Sequence, residues 1–144
     1  MKYEKLIIYT DGGARGNPGP AGIGVAIYDE QRRLLETHKE YIGEATNNQA
    51  EYRAVLLALR QANKLGAGSI KFFLDSELVV RQLRGEYKIK NEGLQPLAEE
   101  VLKQASGFDA IDYAHVPREQ NEVADKLVNE AIDERTEAAE RSSG

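Results

Sequence analysis

Apolar residues recur along the chain with two periods, and together these periods predict an α/β fold. Short runs rich in β-branched residues predict five strands: Lys5–Thr10, Ile23–Asp29, Leu34–Ile42, Ile70–Leu74 and Ala110–Val116. Apolar residues three and four positions apart predict four helices: Asn47–Leu65, Ser76–Leu83, Leu94–Ala105 and Glu122–Ile132. The order βββαβααβα predicts one mixed sheet with helices on both faces.

The connections between these elements predict which strands lie side by side. A polar turn at Asp29–Arg32 joins strands two and three into an antiparallel meander. The long helix forms a right-handed crossover that brings strand four beside strand one in parallel. The connections therefore predict that strand two pairs with strand three and that strand one pairs with strand four. We expect a turn in the glycine- and proline-rich segment 12–20, one domain over residues 1–135, and a frayed tail over residues 136–144.

Composition narrows the class of protein. A length of 144 residues suits one domain, and the absence of cysteine excludes disulfide frameworks and thiolate metal sites. The first apolar run is far too short for a signal sequence or a membrane span, so we expect a cytoplasmic protein without membrane association. The net charge of −5 arises after residue 118, where 8 acidic residues outnumber 3 basic ones. The overall acidity therefore argues only weakly against nucleic-acid binding.

Four carboxylates occupy positions that the predicted fold brings to one rim of the sheet. Asp11 and Asp75 follow the carboxyl ends of the two adjacent parallel strands, and Glu51 and Asp125 lie near the starts of two helices. Two carboxylates ~4 Å apart repel each other by about 4 kcal/mol at an effective dielectric constant near 20. Such groups either take up protons or bind cations. The cluster therefore predicts a divalent-metal site and phosphodiester chemistry.

Each carboxylate also has a purely structural interpretation. Asp11 could close a turn before its glycine pair, and Asp75 could cap the helix that follows it. Glu51 could stabilise a helix by interacting with the positive end of its dipole, and the segment Thr46–Gln49 could form the capping box of that helix. Asp125 could be an ordinary exposed acid on a helix. Only the combination of the four in their local frames favours a common site.

These frames resemble a known family. The motifs TDGGARGNPG, TNNQAE, FLDSE and NEVADKL occur in the order found in type 1 ribonucleases H, and the resemblance covers about residues 5–132. It implies a ribonuclease H-like fold with strand order 3-2-1-4-5 and strand 2 antiparallel, a catalytic domain over residues 1–135, and hydrolysis of the RNA strand of RNA–DNA hybrids. It also implies two Mg²⁺ ions, for which Mn²⁺ can substitute, and ends that carry a 5′-phosphate and a 3′-hydroxyl. The implied metal ligands are Asp11, Glu51, Asp75 and Asp125.

The resemblance also implies residues that contact the substrate. Amide side chains can donate to and accept from a 2′-hydroxyl, which distinguishes RNA from DNA. The matching amides here are Asn17, Asn47, Asn48 and Gln49. The basic projection that some members insert before the third helix is replaced by the short segment GEYKIKNEGL. Its Lys88 and Lys90 are the basic candidates for backbone phosphates, and a solvated basic face is the alternative interpretation.

The chain departs from the family pattern where many members place a histidine in a loop before the fourth carboxylate. His115 lies ten residues before Asp125, but the following Val116-Pro117 places it at the end of strand five. Arg118 would then occupy the loop. We favour Arg118 over His115 as the group that contacts the scissile phosphate. Because arginine stays protonated at neutral pH, its role would be electrostatic.

Two other functional classes agree with parts of the pattern. A catalytically weak protein could keep this fold and bind hybrids or duplexes without turnover. A phosphatase could use Asp11 as a nucleophile, but such enzymes need a second acid two residues later, where this chain has Gly13. We therefore expect a monomeric, metal-dependent endoribonuclease that acts on hybrids and needs no obligate protein partner.

Overall fold

A computed structural model describes residues 3–143 of the chain. Its five strands are β1 Lys5–Ala14, β2 Gly19–Tyr28, β3 Leu34–Ala45, β4 Ser69–Leu74 and β5 Ala110–His115. Its α-helices are α1 Asn47–Lys64, α2 Glu77–Leu83, α3 Gln95–Ala105 and α4 Glu122–Ser143. A short 3-10 helix, Arg118–Gln120, precedes α4. No helix within the described range is both long and apolar enough to cross a bilayer.

The strands form one mixed sheet in the order β3-β2-β1-β4-β5. Strand β2 is antiparallel to both β1 and β3, whereas β1, β4 and β5 run parallel to one another. The predicted strand order and the antiparallel second strand are confirmed. Parallel pairing of β1 with β4 matters for function, because it brings the carboxyl ends of both strands to one rim of the sheet.

Helices cover both faces of this sheet. Successive side chains of a strand point to opposite faces, so neighbouring glycines of β1 report on both sides. A Cβ built on Gly12 would meet the backbone of Ala50 in α1, and one built on Gly13 would approach Val128 in α4. Helix α1 buries ten residues against the sheet, including the fully buried Tyr52. Helix α1 thus covers one face together with α2, which contacts β4 and β5, and α3 packs on α1. Helix α4 covers β2, β3 and part of β1 on the other face.

The segment expected to be a turn is largely strand. Strand β1 continues through Gly12 and Gly13 to Ala14, and β2 already begins at Gly19. A Cβ on Gly12 would lie 2.3 Å from the carbonyl carbon of Ala50, far inside van der Waals contact. Gly12 is therefore required by the close approach of α1 to the strand, not by a turn. The turn itself is confined to residues 15–18.

Helix α4 is longer than the sequence pattern predicts. It does not end at Ile132 but continues through Ser143, so the segment 136–143, which we expected to be frayed, is helical. The apolar stripe does end near Ile132, which is why periodicity placed the boundary there. Beyond it the chain is rich in alanine, glutamate and arginine, which favour helix even without burial. Gly144 lies outside the described residues, and the domain boundary at residue 135 stays a prediction.

Candidate active site

Two of the four carboxylates are buried side by side at the junction of β1 and α1. Asp11 is 6% exposed and pairs across the sheet with Gly24, so it is a strand residue and not part of a turn. Glu51 is 5% exposed and is the fifth residue of α1. Its Oε1 accepts a hydrogen bond of 3.2 Å from the backbone N–H of Gly12. The bare backbone of Gly12 therefore lets the helix bring Glu51 next to Asp11.

The third carboxylate completes a tight cluster. Asp75 directly follows β4, and ligand atoms of Asp11, Glu51 and Asp75 all lie within 4.8 Å of one another. The alternative interpretation of Asp75 as a helix cap is wrong. The cap of α2 is Ser76, whose hydroxyl accepts a hydrogen bond from the Val79 N–H. Asp75 is thus available to a ligand.

The fourth carboxylate faces the same cleft from the opposite helix. Asp125 lies in the first turn of α4, outside the tight cluster but in the lining of the cleft. Helix α4 rests on two glycines of β2. A Cβ on Gly24 would lie 2.4 Å from the Ala124 carbonyl oxygen, and one on Gly22 would lie 2.9 Å from that of Val128. This direct contact between helix and strand backbone sets how far Asp125 stands from Asp11.

Burial and mutual repulsion hold protons on this cluster. Burial, followed by the charge of Asp75, raises the pKa of Asp11 to about 7. Burial and then the charge of Asp11 raise the pKa of Glu51 well above its ordinary value. Burial also raises the pKa of Asp75, against the opposing effects of a hydrogen bond from Asn121 and the charges of Arg118 and His115. The fold therefore gathers carboxylates whose ionisation is unfavourable without a compensating cation.

The donor set fits a divalent metal ion. All candidate ligands are carboxylate oxygens, which Mg²⁺ and Mn²⁺ prefer. Glu51 Oε2 is buried and has no hydrogen-bond partner among the described residues. Buried polar atoms are normally satisfied, so an unpaired carboxylate oxygen inside an acidic cluster indicates that a ligand belongs there. Asp11, Glu51 and Asp75 form a group that could hold such an ion.

Replacing Asp11 with asparagine should stabilise the metal-free protein at neutral pH. Its pKa is about 7 in the fold against a reference value of 3.8, so ionisation of this buried carboxyl opposes folding. The folded state binds more protons between these two values, and its stability therefore falls as the pH rises from about 4 to about 7. We expect D11N to gain on the order of 1–3 kcal/mol above pH 7 in chelator, and almost nothing near pH 4. Thermal unfolding across this pH range measures the difference.

Two controls make this stability prediction specific. Asp109→Asn removes an exposed carboxylate at the far end of the sheet and should leave the curve unchanged. Added Mg²⁺ should stabilise wild type more than D11N, because the cation compensates the charge that the variant lacks. Equal stabilities of wild type and D11N in chelator at pH 8 would contradict the proposed electrostatic strain.

Arg118 and His115 occupy different surroundings. Arg118 opens the 3-10 helix and lines the cleft, with its Nη2 3.7 Å from Asp125 Oδ1. His115 is the exposed last residue of β5, as the following Val116-Pro117 predicts, and it is not one of the described residues that line the cleft. Its charge still acts on Asp75. The catalytic assignments of both residues stay predictions, and the geometry favours Arg118.

The predicted substrate amides form a bonded group at the mouth of the cleft. Asn47 and Asn48 line the cleft, and Asn47 Oδ1 accepts a hydrogen bond of 2.8 Å from the Ala14 N–H. Asn17 Oδ1 in turn accepts one of 3.0 Å from the Asn47 N–H. In both residues an oxygen is bonded to the backbone, so the side-chain NH₂ groups are the donors available to a ligand.

Gln49 closes a helix cap. Its Oε1 accepts from the Thr46 N–H, and Thr46 Oγ1 accepts from the Gln49 N–H, so the expected capping box is present. Only the Gln49 amide nitrogen is left for a substrate, and contact of Gln49 with substrate stays a prediction. The local interpretation and the functional one are therefore compatible.

The two lysines lie away from the cleft. Lys88 and Lys90 are exposed in the connection between α2 and α3, and neither is among the described cleft-lining residues. Of the nearby arginines, Arg81 pairs with Glu77 and Glu86, and Arg84 pairs with Glu86. A solvated face therefore accounts for both arginines. Contact of Lys88 and Lys90 with phosphates stays a prediction.

Sequence reasoning missed one buried residue of the site. Asn121 is 1% exposed, and its Nδ2 donates to the Thr10 carbonyl at 2.9 Å and to Asp75 Oδ2 at 3.4 Å. The backbone carbonyl of Asn121 accepts a hydrogen bond from the Asp125 N–H at the start of α4. Asn121 thus joins three segments that carry carboxylates. The sequence signal for this role is the spacing of four residues between Asn121 and Asp125 within the motif NEVADKL.

Comparisons with known proteins agree with this geometry. The model of the reverse transcriptase-like family matches residues 9–131. The bifunctional protein Rv2228c of Mycobacterium tuberculosis is 43% identical over 136 residues, which is 94% of this chain and 37% of that protein. The chain therefore spans little more than a third of the length of this curated relative.

Two solved structures are similar over nearly their whole length. LC11-RNase H1, isolated from compost and solved in complex with an RNA/DNA hybrid, is 46% identical with a TM-score of 0.88, covering 91% of this chain and 99% of that one. RNase H1 of Halobacterium salinarum is 39% identical with a TM-score of 0.88, covering 90% and 98%. The sheet order, the family model and the similarity to these two ribonucleases H point to the same family. The chain therefore belongs to the type 1 ribonuclease H family.

Proposed function

We propose that this chain is an endoribonuclease that hydrolyses the RNA strand of RNA–DNA hybrids with two divalent cations, leaving 5′-phosphate and 3′-hydroxyl ends. The observation that carries the proposal is the cluster of Asp11, Glu51 and Asp75, whose ligand atoms lie within 4.8 Å of one another beside Asp125. The similarity to LC11-RNase H1, solved with an RNA/DNA hybrid, supports the choice of substrate.

The four carboxylates would bind the two cations in two overlapping groups. Asp11 belongs to the tight cluster and its carboxyl also interacts with that of Asp125. Asp11, Glu51 and Asp75 would therefore hold one cation, and Asp11 together with Asp125 would hold the second. The chemistry expected from bound Mg²⁺ or Mn²⁺ is activation of a water and stabilisation of the charge on the leaving oxygen. Asn121 orients Asp75 through the amide hydrogen bond, so that a carboxylate oxygen stays directed into the cluster.

The remaining cleft residues bind and select the strand. Asn47 and Asn17 accept backbone hydrogen bonds through their side-chain oxygens, so their NH₂ groups would donate to a 2′-hydroxyl, which only RNA offers. Arg118 is exposed at the cleft wall, where its fixed charge can stabilise a phosphate. The cleft thereby combines recognition of ribose with binding of the backbone.

A gel assay of end-labelled oligonucleotides tests this function. The substrates are a hybrid labelled on its RNA strand, the matching DNA duplex, the RNA duplex and the single-stranded RNA, each with Mg²⁺ and with chelator. We expect internal cleavage of the RNA in the hybrid, only with Mg²⁺, and products that a kinase cannot label at their 5′ ends without prior phosphatase. Hybrid binding without any turnover would instead support a non-catalytic binder, and cleavage that persists in chelator would exclude the metal site.

A further inference from the structure

Arg15 lies within the motif TDGGARGNPG and lines the cleft, and none of the roles assigned above involves it. It is the first residue after β1, and its backbone is held tightly, since its N–H donates to the Pro20 carbonyl at 2.9 Å. A Cβ on Gly19 would lie 2.0 Å from the Arg15 carbonyl oxygen, so the turn closes against bare glycine backbone. The position of the Arg15 backbone is therefore set by the same turn that carries Asn17.

The side chain of Arg15 is held against α4. Its Nη1 lies 2.7 Å from Asp133 Oδ1, and its Nη2 donates to Asn129 Oδ1 at 3.4 Å. Asn129 in turn donates to the Asp125 carbonyl at 3.1 Å. A guanidinium has five N–H groups, and the Arg15 side chain is 45% exposed, so donors remain for a further anion. Arg15 is a pre-positioned cation with unused hydrogen-bonding capacity.

The charges in the cleft create a need for such a cation. The cleft is lined by four carboxylates, and of its described lining residues only Arg15 and Arg118 are positively charged. A nucleic-acid strand that crosses this rim brings one negative charge per nucleotide towards the acids. Arg118 lies beside Asp125 at the 3-10 helix, whereas Arg15 lies in the turn that is bonded to Asn47 through its neighbours Ala14 and Asn17. Each arginine therefore serves a different part of the cleft.

We infer that Arg15 binds a backbone phosphate of the strand being cleaved, next to the scissile phosphate. This inference deepens the function proposed above and rests on it. Phosphate contacts position a strand but carry no information about its sugar or base. Arg15 should therefore contribute to affinity and its salt dependence, while selection of RNA over DNA stays with the amides. It is a positioning residue and takes no part in bond cleavage.

The alternative is that Arg15 and Asp133 form an ordinary exposed ion pair. Such pairs contribute about 0–1 kcal/mol to stability and have no role in binding. The two roles differ in what they change: an ion pair affects the unfolding temperature, and a phosphate contact affects hybrid affinity and its dependence on salt. Measuring both separates them.

The test compares Arg15→Gln with Arg60→Gln, which removes an exposed arginine of α1 outside the cleft. Binding of a labelled hybrid is followed by fluorescence anisotropy in Ca²⁺ between about 50 and about 200 mM salt, and cleavage is measured in Mg²⁺. For Arg15→Gln we expect Kd and KM to rise about 5–10-fold, kcat to stay within about twofold, and the slope of log Kd against log salt to become shallower by about 1. For Arg60→Gln we expect less than about a twofold change in each quantity.

Different results would contradict the inference about Arg15 and the proposed function. If Arg15→Gln behaves like Arg60→Gln in affinity and salt slope, Arg15 does not bind phosphate. A fall in kcat at unchanged KM would also overturn the inference, because it would indicate that Asn129 and the Asp125 turn have moved. If Arg15→Gln unfolds early, Arg15→Lys keeps the charge and should retain most of the salt slope. Absence of hybrid cleavage in wild type would refute the proposed function, and the anisotropy titration would still judge Arg15.

Discussion

Replacing Asp75 with asparagine should reduce hybrid cleavage in Mg²⁺ roughly 10³-fold, equivalent to about 4 kcal/mol of lost transition-state stabilisation. The substitution removes one negative ligand from a cluster of three whose ligand atoms lie within 4.8 Å, and leaves a neutral amide of the same shape. Because Ser76 caps α2, the helix after position 75 should be unaffected. Initial rates on a labelled hybrid at saturating Mg²⁺ measure the effect.

The Asp75 prediction has a matched control in Asp109→Asn. Asp109 is an exposed carboxylate just before β5, at the opposite rim of the sheet. Its replacement makes the same chemical change and should leave the rate within about twofold of wild type, as surface substitutions usually do. Cleavage by D75N near the wild-type rate would exclude Asp75 as a metal ligand, provided that its unfolding temperature is unchanged.

Replacing Gly12 with alanine should cost about 3 kcal/mol of stability, the upper part of the usual range for overpacking. The added methyl would lie 2.3 Å from the Ala50 carbonyl carbon, 2.4 Å from its oxygen and 2.6 Å from the Glu51 nitrogen. All three are backbone atoms, so α1 as a whole must move away from β1. For a chain of this size the unfolding temperature should fall by about 10 °C. Activity should fall too, since the same shift takes Glu51 away from Asp11.

Gly13→Ala provides the comparison on the adjacent residue of the same strand. Its added methyl would meet only Val128 Cγ1, at 3.7 Å, which is an ordinary van der Waals contact. We expect a change in stability below about 1 kcal/mol, because nothing has to move. Equal losses of stability in the two variants would show that any replacement of a strand glycine is destabilising here, independently of the contact between Gly12 and α1.

The sequence predicts the positions of most strands and helices, but not the end of α4 or the role of Gly12. The positions of strands and helices follow from apolar periodicity, because a sheet with both faces covered imposes strong patterns on its strands and helices. The end of α4 could not be predicted, since beyond Ile132 no buried stripe distinguishes a helix from a solvated tail. The role of Gly12 was also misjudged. Glycine in a turn and glycine beneath a helix look identical in sequence, and only the 2.3 Å approach of Ala50 distinguishes them.

Local sequence likewise could not decide between the two interpretations of each site residue. Asp75 and Ser76 are both good helix caps, and the structure assigns the cap to Ser76. Asn121 reads as an ordinary polar residue before a helix, yet its amide joins Thr10 and Asp75, 111 and 46 residues away. Contacts of such separation depend on how elements pack, and a single polar contact between two elements leaves no periodic pattern in the sequence.

The amino-acid sequence by itself determined which chemistry is available: four carboxylates in recognisable frames, amides that can contact a ribose, and an alternation of strands and helices that brings Asp11 and Asp75 to one rim. Only the tertiary structure decided the distances. Gly12 lets α1 rest directly on strand backbone, which buries Glu51 beside Asp11 and raises the pKa of both carboxyls, and Gly22 and Gly24 let α4 approach the sheet in the same way. Burial and repulsion depend on separations of a few ångströms between distant residues, and those separations exist only once the helices have packed against the sheet.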